Sequence, residues 1–100
     1  MIDKGLLTML GWEPGTELRW RSHHGIVVIG GLGGSRLNIT AGGDLRLPAR
    51  LRRTIRVRAG DRVMLAADPN ACLLFVLAPI TVEEIVRHAC AAAMDEVREQ

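Results

Sequence analysis

Hydrophobic and polar positions change period several times along the chain, and each change marks an element. Leu6, Leu7 and Leu10 recur at helical spacing behind Asp3, a residue suited to capping, and Gly11 and Pro14 stop the run. Residues 16–21 read as a strand, Ser22-His23-His24-Gly25 as a turn, and the β-branched run 26–29 as the second strand of a hairpin. The glycine-rich stretch 30–35 reads as a flexible connector. Leu37 and Ile39, then Leu45 and Leu47, alternate with polar residues on either side of 41–44, which predicts two short strand arms or one bent strand. Pro48 ends that strand and opens a short helix carried by Leu51 and Ile55, with Gly60-Asp61 as its breaker. Residues 63–66 and 72–77 predict a second hairpin across the turn 68–70.

The last segment reads as a helix that starts at a capping box, Thr81 with Glu84, flanked by Ile80 and Ile85 as a hydrophobic staple. Val82, Ile85, Val86, Ala89, Ala93 and Val97 share a narrow, alanine-rich face, while Glu83, Arg87, Asp95 and Arg98 lie away from it. Such a face packs on its own domain, on a second copy or on a different protein.

Laid on itself with an offset of 45, the chain also matches weakly: Leu6 falls on Leu51, Leu10 on Ile55, Trp12 on Val57, Gly15 on Gly60, Leu18 on Val63 and Trp20 on Leu65. Each half then reads as a short helix, a glycine turn and a hairpin, and only the second half has a preceding strand and the arginines.

Charge sharpens that asymmetry. The 100 residues carry a net charge of +2, yet residues 36–62 set eight arginines against Asp44 and Asp61, a local +6, while residues 63–100 sum to −4. Guanidinium groups keep their charge and fork onto phosphate oxygens, so the block suits a polyanion, nucleic acid above all; the bland alternative is solubility.

Other chemistry is thinly supported. The Gly30 to Ser35 run lacks the lysine of a phosphate loop and leads into a strand instead of a helix. His23, His24, His88, Cys72 and Cys90 have no zinc spacing, the two adjacent histidines are expected to diverge, and the cysteines read as small core residues, so neither metal nor cofactor is expected. Trp12 and Trp20 read as core or interface residues, since a chain with no Tyr and one Phe makes a poor stacking platform for unpaired bases. No nucleophile and base, or carboxylate pair, suggests an enzyme. Two apolar-set cysteines point to a reducing, cytoplasmic setting. The longest uncharged apolar stretch, residues 71–80, falls well short of the ~20 residues of a membrane helix, and no signal segment is visible.

The run Gly43-Asp44-Leu45-Arg46-Leu47-Pro48-Ala49-Arg50-Leu51-Arg52-Arg53, followed by Gly60-Asp61-Arg62-Val63, resembles the AbrB/MazE/SpoVT swapped-hairpin family of DNA-binding proteins over residues 36–79. That family runs Gly-Arg-Val-x-Ile-Pro, a short helix containing an arginine, and a Gly-Asp turn into a hairpin. Asp44 departs from it, standing where a basic residue is usual, so one phosphate contact is missing. The resemblance implies a mainly β fold with short helices: an AbrB-like barrel of interleaved hairpins, normally made by two chains, with the arginine-bearing strand and helix start facing the DNA major groove.

The sequence therefore predicts an N-terminal helix and hairpin segment (1–35, a candidate degenerate repeat), an AbrB-like DNA-binding domain (36–79) and a C-terminal amphipathic helix (80–100). The expected function is sequence-specific binding of double-stranded DNA by a homodimeric transcriptional regulator. Arg46, Arg50, Arg52 and Arg53, which flank the Pro48 bend, are the first candidates for contact, and Arg56 and Arg58 the second. One alternative is an antitoxin that binds its operator through the core and a toxin through the acidic helix. The other is an assembly module whose arginines only confer solubility.

Overall fold

The computed structural model describes residues 4–31, 33–58 and 60–99; Asp3, the expected cap of the first helix, lies outside them. Strands β1 (Leu18–His23) and β2 (Ile26–Gly30) form the first hairpin, and its two-residue turn places His24 at φ 50° and Gly25 at φ 77°. Two successive left-handed residues make the mirror-image turn that suits the right-handed twist of paired strands. Gly25 is needed twice over. A Cβ there would meet Thr81 Oγ1 at 2.6 Å, and Thr81 donates its hydroxyl to the Gly25 carbonyl at 3.1 Å.

Strand β3 (Ser35–Leu37) pairs with the other edge of β1, β4 (Met64–Asp68) and β5 (Leu73–Leu77) make the second hairpin, and β2 pairs with β5. The result is a five-stranded antiparallel sheet of order β3-β1-β2-β5-β4. With the helices α1 (Lys4–Met9), α2 (Ala49–Thr54) and α3 (Pro79–Arg98), the fold is a mixed α and β one. The sheet is open, where the family resemblance implies a closed barrel. Closure would need the arm around Leu45 to extend a ladder, but that arm makes a single bridge, Ile39 to Leu45, at a hairpin tip whose Thr40 N–H donates to the Asp44 carbonyl at 2.8 Å. Leu45 and Leu47 serve the core with side chains instead.

One hydrophobic core lies on the inner face of the sheet. Leu18, Trp20, Val27, Ile29, Leu74 and Val76 come from the strands, and Leu7, Trp12, Leu45, Leu51, Ile55 and Val57 cover them from the helices and loops. Both tryptophans are buried core residues, as their sequence setting predicts. Cys72 and Cys90 are not: both are exposed, Cys72 because it turns the β4–β5 loop at φ 58° with its thiol toward the Leu10 carbonyl, and Cys90 because nothing covers the middle of α3.

The capping box at Thr81 does not form. Helix α3 starts two residues earlier with Pro79 in its first turn and Ala78 as N-cap, because Thr81 is buried against Gly25 and spends its hydroxyl there. Ile80 and Ile85, expected as a staple, are exposed at 52% and 48%. Every residue from Glu83 to Glu99 is exposed, and the molecule measures 55 × 29 × 24 Å.

The two halves carry the same elements in the same order, at an offset of 45 up to the first strand of each hairpin and 47 after its turn, which is two residues longer in the second half. Helix α1 maps onto α2 end for end, β1 onto β4 and β2 onto β5. Both helices close with a Schellman pattern: Gly11 N–H to Thr8 O and Trp12 N–H to Leu7 O in the first, Arg56 N–H to Arg53 O and Val57 N–H to Arg52 O in the second. That closure, not Gly60-Asp61, ends α2. The turns that follow also match, with Thr16 N–H to Glu13 O and Asp61 N–H to Arg58 O, each locked by a reciprocal side-chain bond, Glu13 N–H to Thr16 Oγ1 and Arg58 N–H to Asp61 Oδ2. Gly15 and Gly60 adopt φ 93° and 90°.

Candidate nucleic-acid interface

Three of the candidate arginines converge. Arg46, on the arm beyond Leu45, and Arg52, on α2, line one open concavity of about 410 Å³ together with Arg58, Val57 and the Gly60-Asp61 turn. Each is placed by a neighbour in the core: Leu45, Leu51 and Val57 are buried beside them and fix the backbone from which the arginines depart. The Arg52 Nε is buried and has no hydrogen-bond partner, an uncompensated donor in the wall of the concavity. Asp61, the nearest carboxylate, already accepts from the Arg58 backbone N–H at 2.8 Å and closes the turn. Among the described residues none of these arginines forms an ion pair, nor does Arg62 with Asp61; the pair found is Lys4 with Asp44 at 3.6 Å.

The remaining candidates stand elsewhere. Arg50 and Arg53 are exposed on α2, and Arg50 lies roughly 200° around the helix from Arg52, so the four arginines at the Pro48 bend do not share a concavity. Arg56 lines a separate depression with His24, Thr54, Ile80, Thr81 and Glu84, carried there by its left-handed backbone at φ 57°. Arg58 belongs with Arg46 and Arg52 instead of with Arg56. The signal that finds it is the Arg58-to-Asp61 bracket, matched in the first half by Glu13 and Thr16. Asp44 sits at the tip of the 35–47 hairpin, where its contact with Lys4 ties that tip to α1.

The internal repeat supplies a control within the molecule. A second concavity, of about 220 Å³, is lined by Gly15, Thr16 and Leu18, the counterparts of Gly60, Asp61 and Val63, and on its other side by Arg19 and Arg36, which are not counterparts of the second-half arginines. Positions 50, 52, 53, 56 and 58 fall on Gly5, Leu7, Thr8, Gly11 and Glu13. The same scaffold is therefore built once with five arginines and once with none at those positions. The arginines are not what the fold requires.

His23 and His24, expected to diverge, meet edge to face with ring centroids 4.1 Å apart. Among the described residues no group of three or more His, Cys, Asp or Glu is placed to hold a metal ion, and no helix is long and apolar enough to cross a membrane. Compared with protein families, curated proteins and solved structures, the chain matches none.

Proposed function

We propose that this protein binds double-stranded DNA in a sequence-specific manner as a transcriptional regulator, with Arg46, Arg52 and Arg58 holding phosphates or a base edge in the larger concavity and Arg50 and Arg53 flanking it. The observation that carries the reading is the asymmetry of the repeat. Solubility would be served by arginines in either half, whereas arginines stand at five positions of the second half and at none of their counterparts in the first, and two of them, Arg52 and Arg58, meet Arg46 around an open concavity with no ion pair among the described residues, which suits a polyanion. The family resemblance of residues 36–79 agrees, and the two αββ units on either side of the 35–47 hairpin are read as a swapped-hairpin arrangement drawn into a single chain. A chain with one basic concavity contacts one half-site, so a pseudo-palindromic site takes two chains.

The test is duplex binding across a salt series. Five phosphates neutralised per chain give a slope of log affinity against log salt of roughly −4 to −5. The triple substitution R46A/R52A/R58A should shallow it by about 3 while the fold is retained, because Arg46 and Arg58 are exposed and Arg52 makes no hydrogen bond through its buried Nε. An arginine that forks onto a guanine edge shows itself by a cost of ~1–3 kcal/mol on the selected site and much less on random duplex. Duplex binding that is undetectable at low salt with a folded chain in the same sample would return the protein to the assembly-module reading.

A further inference from the structure

The chain carries two apolar surfaces without a partner, and they complement each other. The first is the outer face of the sheet. Val27, Ile29, Leu74 and Val76 are fully buried on the inner face, so the alternate residues point the other way. The strand registers align them in two rows across β2, β5 and β4: Ile26, Leu77 and Met64 in one, Val28, Phe75 and Ala66 in the other. Strands apolar on both faces are the kind that proteins cover on both sides. The second surface is the stripe of α3, in which Val82 is half-buried and Ile85, Val86 and Val97 are exposed at 48%, 53% and 67%.

The helix cannot cover its own sheet. It begins two residues after β5, is pinned by Thr81 to the β1–β2 turn, and is exposed at every residue from Glu83 to Glu99. We infer that the occupant is a second copy of this chain, each protomer laying the α3 stripe on the outer sheet face of the other. Charge favours this pairing. On the sheet side, Arg19, Arg21 and Arg36 border the apolar rows, with Arg19 directly opposite Arg36 on β3, an arrangement of like charges that calls for an acidic neighbour. The helix carries five acidic residues against Arg87 and Arg98; at helical spacing Glu96 falls on the stripe and Glu99 beside it, while both arginines lie on the opposite face. A stripe ~22 Å long and ~10 Å wide, formed twice and counted on both surfaces, buries about 900 Å², the size of a weak, reversible association.

This interface stands apart from the DNA concavity and is tested without DNA. Light scattering of the full chain over a concentration series should give twice the 10.9 kDa chain mass at micromolar concentration and above. Val86→Asp on the helix and Ala66→Glu on the exposed edge strand should each weaken association at least tenfold, and raised salt should weaken it in the unsubstituted chain. Both positions are exposed, so circular dichroism melts should report intact folds. A chain that stays monomeric to 100 µM overturns the inference, including the outcome in which α3 binds only a protein of different sequence. A dimer that survives Ala66→Glu overturns the docking on the sheet, and one that survives Val86→Asp overturns the role of the stripe. The arginine-dependent salt slope on a half-site is read per chain, so failure of self-association leaves the DNA reading standing, and the reverse.

Discussion

Two residue positions concentrate the local constraints. Gly25 holds φ 77° and faces Thr81 Oγ1, so Gly25→Ala combines left-handed strain with a steric clash against a buried hydroxyl. The strain costs ~1–2 kcal/mol, which shifts the melting temperature of a domain of this size by several degrees. In a Thr81→Ala background the clash partner is gone and only the strain remains, so the same substitution should cost less; equal costs in a double-mutant cycle of melts would disprove the contact. Arg56 is the other position. It takes the left-handed place after α2 that Gly11 takes after α1, at φ 57° against 73°. Arg56→Gly should therefore stabilise the fold by about 1 kcal/mol. If Arg56 contributes to duplex binding from its separate depression, the same variant should bind DNA more weakly, and strain retained at a functional position explains why a glycine does not stand there.

At the scale of elements, each helix depends on the core to a different degree. Helices α1 and α2 are six residues long, too short to persist alone, and are held by Leu7 and by Leu51 with Ile55. Leu51→Ala, at a fully buried position, should cost ~2–5 kcal/mol and bring the melt down with it. Helix α3 is the opposite case. Removal of residues 88–100 keeps the Thr81 anchor, and among the described residues it takes away, 88–99, every one is exposed, so the monomer should melt within a few degrees of the full chain, measured below the concentration at which the full chain associates. The elements themselves were largely legible in the sequence. The hairpins appear with shifts of up to two residues, since propensity places strands and pairing decides their ends: Ser22 and His23, read as turn, join β1 because Val27 and Ile26 stand opposite them. The start of α3 was not legible, because Thr81-to-Glu84 is a good local cap and only the approach of the β1–β2 turn diverts the threonine.

At the scale of the whole molecule, the β2–β5 pairing is the seam between two similar units. Val27, Ile29, Leu74 and Val76 lie along it with no exposed surface, so amide exchange should be slowest in β2 and β5 and fastest in the outer half of α3. Protection that is as slow in α3 as at the seam, in a monomeric sample, would mean that the helix is covered after all. The seam also explains the shape of the basic region. The offset of 45 was visible in five apolar matches and one of glycine, yet those matches say nothing of which arginines face together. Arg46 and Arg58 stand twelve residues apart and meet only because the 45–47 arm and the turn after α2 border one concavity.

Sequence alone determined what depends on neighbours a few residues away: the hairpin turns, the two short helices, the apolar alternation and the concentration of charge in residues 36–62. It also marked the repeat, because equal local grammar leaves equal spacings of leucine and glycine. Tertiary structure decided the rest. It left the sheet open, since one bridge at the 35–47 hairpin does not continue a ladder; it drew Arg46, Arg52 and Arg58 together and parted them from Arg50, Arg53 and Arg56; and it exposed both cysteines. These outcomes depend on which distant segments share the core, and burial energy is set by the surface that the whole chain removes from water, which no local pattern records.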